Sequence, residues 1–130
     1  QVRVGRLQLL REALGTLQTE PELGLSHISV GSDVLDRYDV TSEELDGIVE
    51  HPRSIVGTRL ALFFRDLGYG KVKVSFRSTG DVNVQALASR YGGGGHAKAS
   101  GAMLSGTLAD VQAQVLADAR EFLRGASVLG

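Results

Sequence analysis

The chain has 130 residues, of which 42% are apolar and 22% charged, and its formal net charge is −1. This length supports one domain with its own hydrophobic core, and the balanced charge excludes a strongly basic, histone-like or tail-like nucleic-acid binder while leaving room for a local basic site. The chain has no cysteine and three histidines, which excludes a disulfide scaffold, a thiol nucleophile and a cysteine-ligated zinc site.

No apolar run approaches about 18 residues, the length that a membrane-spanning helix needs. No signal-peptide pattern opens the chain. We therefore expect no membrane partner and a cytoplasmic location.

The first half of the chain predicts helices around one short strand. An amphipathic helix is expected over residues 4–18, because four leucines at spacings of three and four share one face: Leu7, Leu10, Leu14 and Leu17. The elements that follow are a connection over 19–25, a strand over 27–30 and a helix over 32–38. Thr41 and Glu44 match a capping box at the start of another helix, which Pro52 is expected to end.

The second half predicts a hairpin, two helices and a further strand. Residues 71–77 alternate between polar and apolar side chains, as expected of a half-buried strand, and a turn at 68–70 pairs them with the apolar run 60–64. The remaining elements are a helix from Asp81 or Asn83 to Tyr91, a strand over 102–104 and a helix from Thr107 to about Leu123. The predicted fold is α+β, a single domain in which a small mixed β-sheet is covered by several α-helices.

Four consecutive glycines, Gly92–Gly95, form the sharpest local feature, and His96 and Lys98 follow them. Consecutive glycines allow backbone N–H groups to turn toward one point, which makes a nest for an anion. A helix beginning near His96 would add its dipole to that attraction. The alternatives are a flexible linker or an extended helix C-cap. The run is not a Walker A loop, because the Gly-Lys-Ser/Thr ending is absent.

The polar side of the strand over 71–77 ends at Arg77, and Ser78 follows. Arg77 can bind a phosphate through two hydrogen bonds and Ser78 can add a hydroxyl. The alternative is a solvated strand face whose lysines protect an edge. The loop around Arg53 is either a binding loop or an ordinary connection. No metal-ligand or nucleophile pattern occurs, so we predict no catalytic and no metal-ligating residue in this chain.

These segments resemble the C-terminal, DHH-associated domain of DHH-family phosphoesterases. The resemblance is carried by the strand to Ser78, by Gly93–His96 and by Ala99–Gly101. The upstream segment 46–55 looks like the matching part of the nanoRNase / pAp-phosphatase branch, which is related to RecJ-like exonucleases. The resemblance is strongest from about residue 46 to 122 and is consistent from residue 4.

The resemblance implies a manganese-dependent parent enzyme that hydrolyses short oligoribonucleotides (nanoRNA) and 3′-phosphoadenosine 5′-phosphate (pAp), and in some members dinucleotides. An N-terminal DHH domain of that parent would hold two Mn²⁺ ions on an Asp-His-His motif, which this chain lacks. We therefore expect residues 1–25 to be a linker helix and connection, and 26–130 to be a substrate-binding domain. By itself this piece would hold no cofactor and be inactive.

Carried onto this chain, the family motifs assign the substrate site. Gly93, Gly94, Gly95 and His96 would bind the terminal phosphate or ribose, and Arg77 and Ser78 would hold a phosphate or base. Arg53 is added by its nearness in the motif and Lys98 by its charge. The expected partners are short single-stranded RNA, a mono- or dinucleotide, and the DHH domain of the same parent. The alternatives are a stand-alone nucleotide- or RNA-binding module without catalysis, and a homodimerisation domain that pairs through the leucine face of residues 4–18.

Overall fold

Six strands form one mixed sheet in the order β1-β2-β3-β4-β6-β5. The computed structural model describes the backbone of residues 1–129 and the side chains of residues 1–125. The strands are β1 Gln18–Glu20, β2 Leu25–Val30, β3 Leu60–Gly68, β4 Lys71–Ser78, β5 Gly94–His96 and β6 Ala99–Ser105. The pair β2–β3 is parallel and the other four pairs are antiparallel. The prediction of an α+β domain with a small mixed sheet is confirmed.

Six α-helices accompany the sheet within the described residues. They are α1 Val4–Leu14, α2 Val34–Tyr38, α3 Ser42–Asp46, α4 Glu50–Arg53, α5 Val84–Ala88 and α6 Leu108–Leu129. A 3₁₀ turn at Gly47–Val49 joins α3 to α4, so that residues 42–53 form one nearly continuous helical segment, here called the α3–α4 segment. None of the helices in the described part of the chain is long and apolar enough to cross a membrane.

The two faces of the sheet carry two separate hydrophobic cores. On one face, Val72, Val74 and Phe76 of β4 are fully buried against α5 and α6. On the other face, α1, α2 and the α3–α4 segment cover β2 and β3, where Ile28 and Phe63 are buried. The alternation predicted for residues 71–77 is therefore confirmed, because the apolar half of the strand lies in one core.

The predicted leucine face of α1 is only partly confirmed. Leu9 and Ala13 are fully buried, whereas Leu7 is 55% exposed and Leu10, Leu14 and Leu17 pack only at the margin of the core. Gly5 explains the rotation, because a Cβ there would overlap the carbonyl oxygen of Tyr38. The helix approaches α2 through this glycine, which turns the row of residues 5, 9 and 13 inward.

The connection predicted over 19–25 contains a strand. β1 pairs antiparallel with β2, and Gln18 lies opposite His27. Because β1 is in the sheet and Leu9 is fully buried, the first 25 residues pack as part of the same body. The division of the chain at residue 25 stays a prediction.

Local capping signals place most helix starts. Thr41 and Glu44 form the predicted capping box, Asn83 accepts two N–H groups at the start of α5, and the Thr107 hydroxyl accepts the Asp110 N–H before α6. Pro52 does not end its helix as predicted. It is the third residue of α4, a position whose N–H has no partner within a helix and where proline is tolerated.

Candidate functional site

One part of the sheet surface is left uncovered. Residues directly opposite each other on neighbouring strands point to the same side, and the register defines a set that faces away from α5 and α6. We call this set the open face: Lys73, Ser75 and Arg77 of β4, Ala99, Gly101 and Met103 of β6, and Gly94 and His96 of β5. The α3–α4 segment borders it on one side. Met103 is 53% exposed, so beyond β4 this face is open to ligands.

Arg77 and His96 lie in one row across the open face. Arg77 is opposite Ala99, and Ala99 is opposite His96. The backbones of Arg77 and His96 are two strand spacings apart, which is a distance of about 10 Å. Only the methyl group of Ala99 stands between them, so both long side chains can reach an anion placed above it.

Arg77 is held in place while part of its guanidinium stays unsatisfied. Its Nη1 donates to the carbonyl oxygens of Phe76 and Ser100 at 3.0 and 3.3 Å, and its Nε lies 3.4 Å from Oε2 of Glu50. Its Nη2 makes no hydrogen bond within the described residues. The side chain is 21% exposed, so it is partly accessible to a ligand.

Arg53 joins this site through Glu50. The Arg53 Nε donates to Oε1 of Glu50 at 2.6 Å, while the other oxygen of the same carboxylate faces Arg77. One carboxylate thus bridges two guanidinium groups at the edge of the open face. An incoming phosphate would meet two arginines that are already fixed in orientation and that share a single counter-charge.

The glycine run forms a helix end and an edge strand rather than the anion nest expected from the sequence. The N–H groups of Gly92 and Gly93 donate to the carbonyl oxygens of Ser89 and Ala88. Gly92 adopts a left-handed conformation that ends the 3₁₀ turn Ser89–Tyr91, which follows α5. Gly94–His96 then pair with β6, so no helix begins at His96. In the part of the chain that the structure describes, no strand pairs with the outer edge of β5.

Three glycines of the run differ in what they require. A Cβ on Gly93 would overlap the Gly101 carbonyl oxygen and lie 2.6 Å from the Ala102 Cβ. A Cβ on Gly95 would lie 2.6 Å from the Ala99 oxygen, and its φ of +143° disfavours any side chain. Gly94 would meet nothing within 4 Å. Packing therefore requires glycine at positions 93 and 95. At position 94 there is room for a side chain, and glycine leaves this part of the open face without one.

Ser78 and Lys98 lie apart from the Arg77–His96 row. Ser78 is buried on the opposite face of the sheet, and its hydroxyl donates to the Val82 carbonyl at 2.7 Å. It anchors the chain after β4 instead of facing the open surface. Lys98 is exposed in the turn between β5 and β6, where its carbonyl accepts the Ser78 N–H.

A second row of long side chains crosses the open face further along the strands. Arg65 of β3, Lys73 of β4 and Met103 of β6 are cross-strand neighbours. The Lys73 Nζ lies 3.3 Å from Asp46, and Arg65 donates to the Ser42 hydroxyl at 3.2 Å. Burial lowers the pKa of Arg65, and the nearby Asp46 partly offsets that effect. Asp46 and Ser42 both belong to the α3–α4 segment, which thus borders both rows.

The described residues contain no group of three or more His, Cys, Asp or Glu side chains that could hold a metal ion. His27, one of the three histidines, is buried, with its ring in edge contact with Phe64, and burial lowers its pKa.

The open face carries cationic side chains, one imidazole and small residues between them. This combination is suited to binding and positioning an anionic ligand.

The model of the DHHA1 domain matches residues 28–125. The chain belongs to this family. The chain is also similar to curated proteins named bifunctional oligoribonuclease and PAP phosphatase NrnA. The protein from Thermus thermophilus is 41% identical over 67% of this chain and 27% of its own length. The protein from Bacillus subtilis is 35% identical over 64% of this chain and 26% of its own length. The predicted membership in the nanoRNase branch is confirmed.

The fold of this DHHA1 domain also occurs in a solved structure. An exopolyphosphatase-related protein from Bacteroides fragilis superposes with a TM-score of 0.80 and 27% sequence identity, covering 95% of this chain and 37% of that one. The chain spans about a quarter of the length of the curated relatives named above.

Sequence reasoning missed three contributors to the surface of the DHHA1 domain. Glu50 is visible in sequence only as a helical partner of Arg53 three residues away, and its contact to Arg77 depends on the tertiary fold. The alternation over residues 71–77 favours a solvated strand face at Lys73, and the sequence assigns no role to Arg65. Their pairing follows from the β3–β4 register, which fixes Arg65 opposite Lys73.

Proposed function

We propose that this DHHA1 domain binds the phosphate-bearing end of a short oligoribonucleotide or of pAp on its open face. The observation that carries the proposal is the row Arg77–Ala99–His96, in which two side chains able to donate to a phosphate flank a single methyl group. The names of the NrnA relatives support this substrate class.

The binding chemistry follows from the contacts of Arg77. Its Nη2 donates to one phosphate oxygen while the backbone carbonyls of Phe76 and Ser100 keep the guanidinium from turning away. His96 donates to a second oxygen from the other side of Ala99. Arg53, which shares Glu50 with Arg77, and the flat backbone at Gly94 border the same space. A preoriented cation loses little conformational freedom on binding, so this arrangement positions the substrate and neutralises its charge.

The proposal assigns hydrolysis to a longer protein. We propose that an N-terminal DHH domain of that protein would hold two Mn²⁺ ions, which would supply the hydrolytic chemistry. The described residues offer no ligand set for such ions. The contribution of this chain is to hold the substrate in a fixed orientation, which lowers the entropic part of the barrier.

Titration of pAp into the 130-residue chain tests the proposal, with binding followed by amide NMR shifts. Arg77→Ala and His96→Ala should each weaken pAp binding about tenfold, the effect of one lost charge-assisted hydrogen bond in a partly exposed site. Arg124→Ala, which removes one exposed positive charge from α6 on the other side of the sheet, is the control and should bind pAp as the wild type does. Unchanged affinity in both site variants would refute the proposal.

A second candidate is homodimerisation through α1. Val4 is 70% exposed and Leu7 55% exposed, and they lie three residues apart on one side of the helix. This apolar strip differs from the predicted one, because Leu10, Leu14 and Leu17 pack at the core. Light scattering distinguishes the two states: a monodisperse monomer at high concentration would exclude a stable dimer.

A further inference from the structure

A cavity of about 340 Å³ lies on the α6 side of the sheet, away from the open face. One wall is the C-terminal part of α6, and the other is formed by the loop before α5 and the 3₁₀ turn after it. The first wall carries Glu121, Phe122 and Gly125, and the second carries Asp81, Asn83 and Arg90. Small-molecule sites span about 300–1,000 Å³, so this cavity has room for a ligand of the size of a nucleoside.

The two walls meet in a flat, apolar surface. Phe122 is half-buried, and the Arg90 guanidinium lies over its ring, 5.4 Å from the ring centroid. Val82, which also lines the cavity, is buried. A guanidinium and an aromatic ring are both planar, and a further planar group can stack on either of them. The surface therefore suits a planar heterocycle better than a sugar or an aliphatic chain.

Gly125 leaves the cavity wide at a cost to α6. It lies inside the helix Leu108–Leu129, where glycine is less favourable than every residue except proline. A Cβ at Gly125 would meet nothing within 4 Å, so packing does not require the glycine. A larger side chain there would instead narrow the cavity that Gly125 lines. A ligand that needs this space accounts for the glycine, whereas the fold does not.

The charged groups at the cavity are two carboxylates and one guanidinium. Within the described residues, the side chains of Asp81 and Glu121 make no hydrogen bond or ion pair, and Arg90 makes no ion pair. Two negative charges and one positive charge leave a net charge of −1, which disfavours a phosphate and leaves carboxylate acceptors free. Asn83 uses its Oδ1 to accept two N–H groups of α5, so its amide nitrogen remains as a donor.

We propose that this cavity binds the guanine base of a nucleoside. Guanine carries two adjacent donors, N1–H and the N2 amine, and two adjacent acceptors, O6 and N7. A carboxylate of Asp81 or Glu121 accepts from the donor edge, and the Asn83 amide donates to the acceptor edge. Adenine lacks the paired donors, because its N1 is an acceptor. This site is separate from the open face and does not rest on the proposed function.

Guanosine and adenosine are the two probes, because neither carries the phosphate that the open face is proposed to bind. Each is titrated into the 130-residue chain, and amide NMR shifts give the location and the dissociation constant. Guanosine should shift Arg90, Phe122 and Gly125 at millimolar concentration or below. It should bind about tenfold more tightly than adenosine, which is the discrimination expected of one bidentate pair. Equal affinity for the two nucleosides, or no guanosine shifts at these residues, would overturn the proposal.

Removal of both carboxylates tests the donor edge. Asp81→Asn combined with Glu121→Gln should weaken guanosine binding about tenfold, to near the affinity of adenosine. The matched control combines Asp36→Asn with Glu43→Gln, which changes the charge equally at two exposed positions on α2 and α3, on the other side of the sheet. The control should bind guanosine as the wild type does. Equal guanosine affinity in both double variants would refute recognition by the carboxylates.

Gly125→Leu tests the location by filling the cavity, and it should weaken guanosine binding at least about fivefold. Leucine is favourable within a helix, so the variant should remain folded, which far-UV circular dichroism verifies. Ala113→Leu, at an exposed position of α6 about three turns earlier, is the matched control and should bind guanosine normally. Wild-type affinity in folded Gly125→Leu would contradict binding in this cavity. The proposed function fails separately, if Arg77→Ala leaves pAp binding unchanged.

Discussion

Adding one methyl group at Gly93 or at Gly94 separates the part of the glycine run that folding requires from the part that faces the open surface. In Gly93→Ala, the new Cβ overlaps the Gly101 carbonyl oxygen and lies 2.6 and 2.9 Å from the Cβ and Cα of Ala102. Two of these atoms are backbone of β6 and the third is the Ala102 Cβ, which is fixed to that backbone. Because β6 pairs on both sides with other strands, none of them can move aside as the end of a flexible side chain would. In Gly94→Ala, nothing lies within 4 Å of the new Cβ.

The magnitudes follow from these distances. Overpacking by one methyl against fixed backbone costs about 1–3 kcal/mol. Replacing glycine by alanine where the backbone permits it stabilises by about 0.4–1 kcal/mol through the unfolded chain. Neither Gly93 nor Gly94 has a positive φ, so backbone strain does not differ between them. We expect Gly93→Ala to lower the free energy of unfolding by about 1–2 kcal/mol and Gly94→Ala to leave it equal or slightly higher.

Urea unfolding followed by far-UV circular dichroism measures both free energies, with the midpoint compared at equal m-value. The expected result is a lower midpoint for Gly93→Ala and a wild-type or higher midpoint for Gly94→Ala. Equal midpoints for the two variants, or a lower midpoint for Gly94→Ala alone, would refute the claim that β5 packs on β6 through Gly93 and leaves Gly94 bare.

Three further predictions address the site and its support. Gly94→Leu should place a bulky side chain on the open face next to the Arg77–His96 row and weaken pAp binding at least about fivefold with little loss of stability, and tight binding in a folded variant would contradict the assignment of the open face. Glu50→Gln should strengthen pAp binding about two- to threefold, because the carboxylate that competes with phosphate for Arg53 and Arg77 is removed. Weaker binding would contradict this expectation and would mean that the orienting effect of Glu50 outweighs its competition with phosphate. Burial lowers the pKa of His27 below its ordinary value of 6.5, so the unfolded chain takes up a proton before the folded one and stability should fall as pH drops below about 6.5. In urea titrations at pH 7.5 and 5.5, His27→Gln should show a smaller loss of stability than the wild type, and an equal loss in both would contradict this role for burial.

Local patterns in the sequence were sufficient for most of the second half of the fold. The alternation along β4, the capping residues Asn83 and Thr107, and the turn before β4 each act over a few residues, so each could be interpreted without tertiary contacts. The same alternation also separates Arg77 from Ser78, since consecutive strand residues point to opposite faces. The predicted site contains both residues, which is inconsistent with this alternation, and the structure places Ser78 in the buried layer.

The features that could not be predicted depend on contacts between distant segments. The inward face of α1 is set by the close approach of Gly5 to Tyr38, which no periodicity in residues 4–18 reveals. Glycines carry no side-chain pattern, so the sequence could not distinguish an anion nest from an edge strand at Gly94–His96. Residues Gly94–His96 form a strand because they pair with β6. Likewise, Glu50 meets Arg77 only because the α3–α4 segment lies beside β4.

Amide shift mapping with pAp on the wild-type chain tests the location of the binding surface. We expect the largest shifts at Arg77, at Gly94–His96 and at Ala99, which lie together on the open face, and saturation at millimolar ligand or below. A cavity of about 340 Å³ lies on the other side of the sheet, lined in part by Asp81, Arg90 and Phe122. Shifts confined to that cavity, or no shifts at millimolar pAp, would contradict the assignment of substrate binding to the open face.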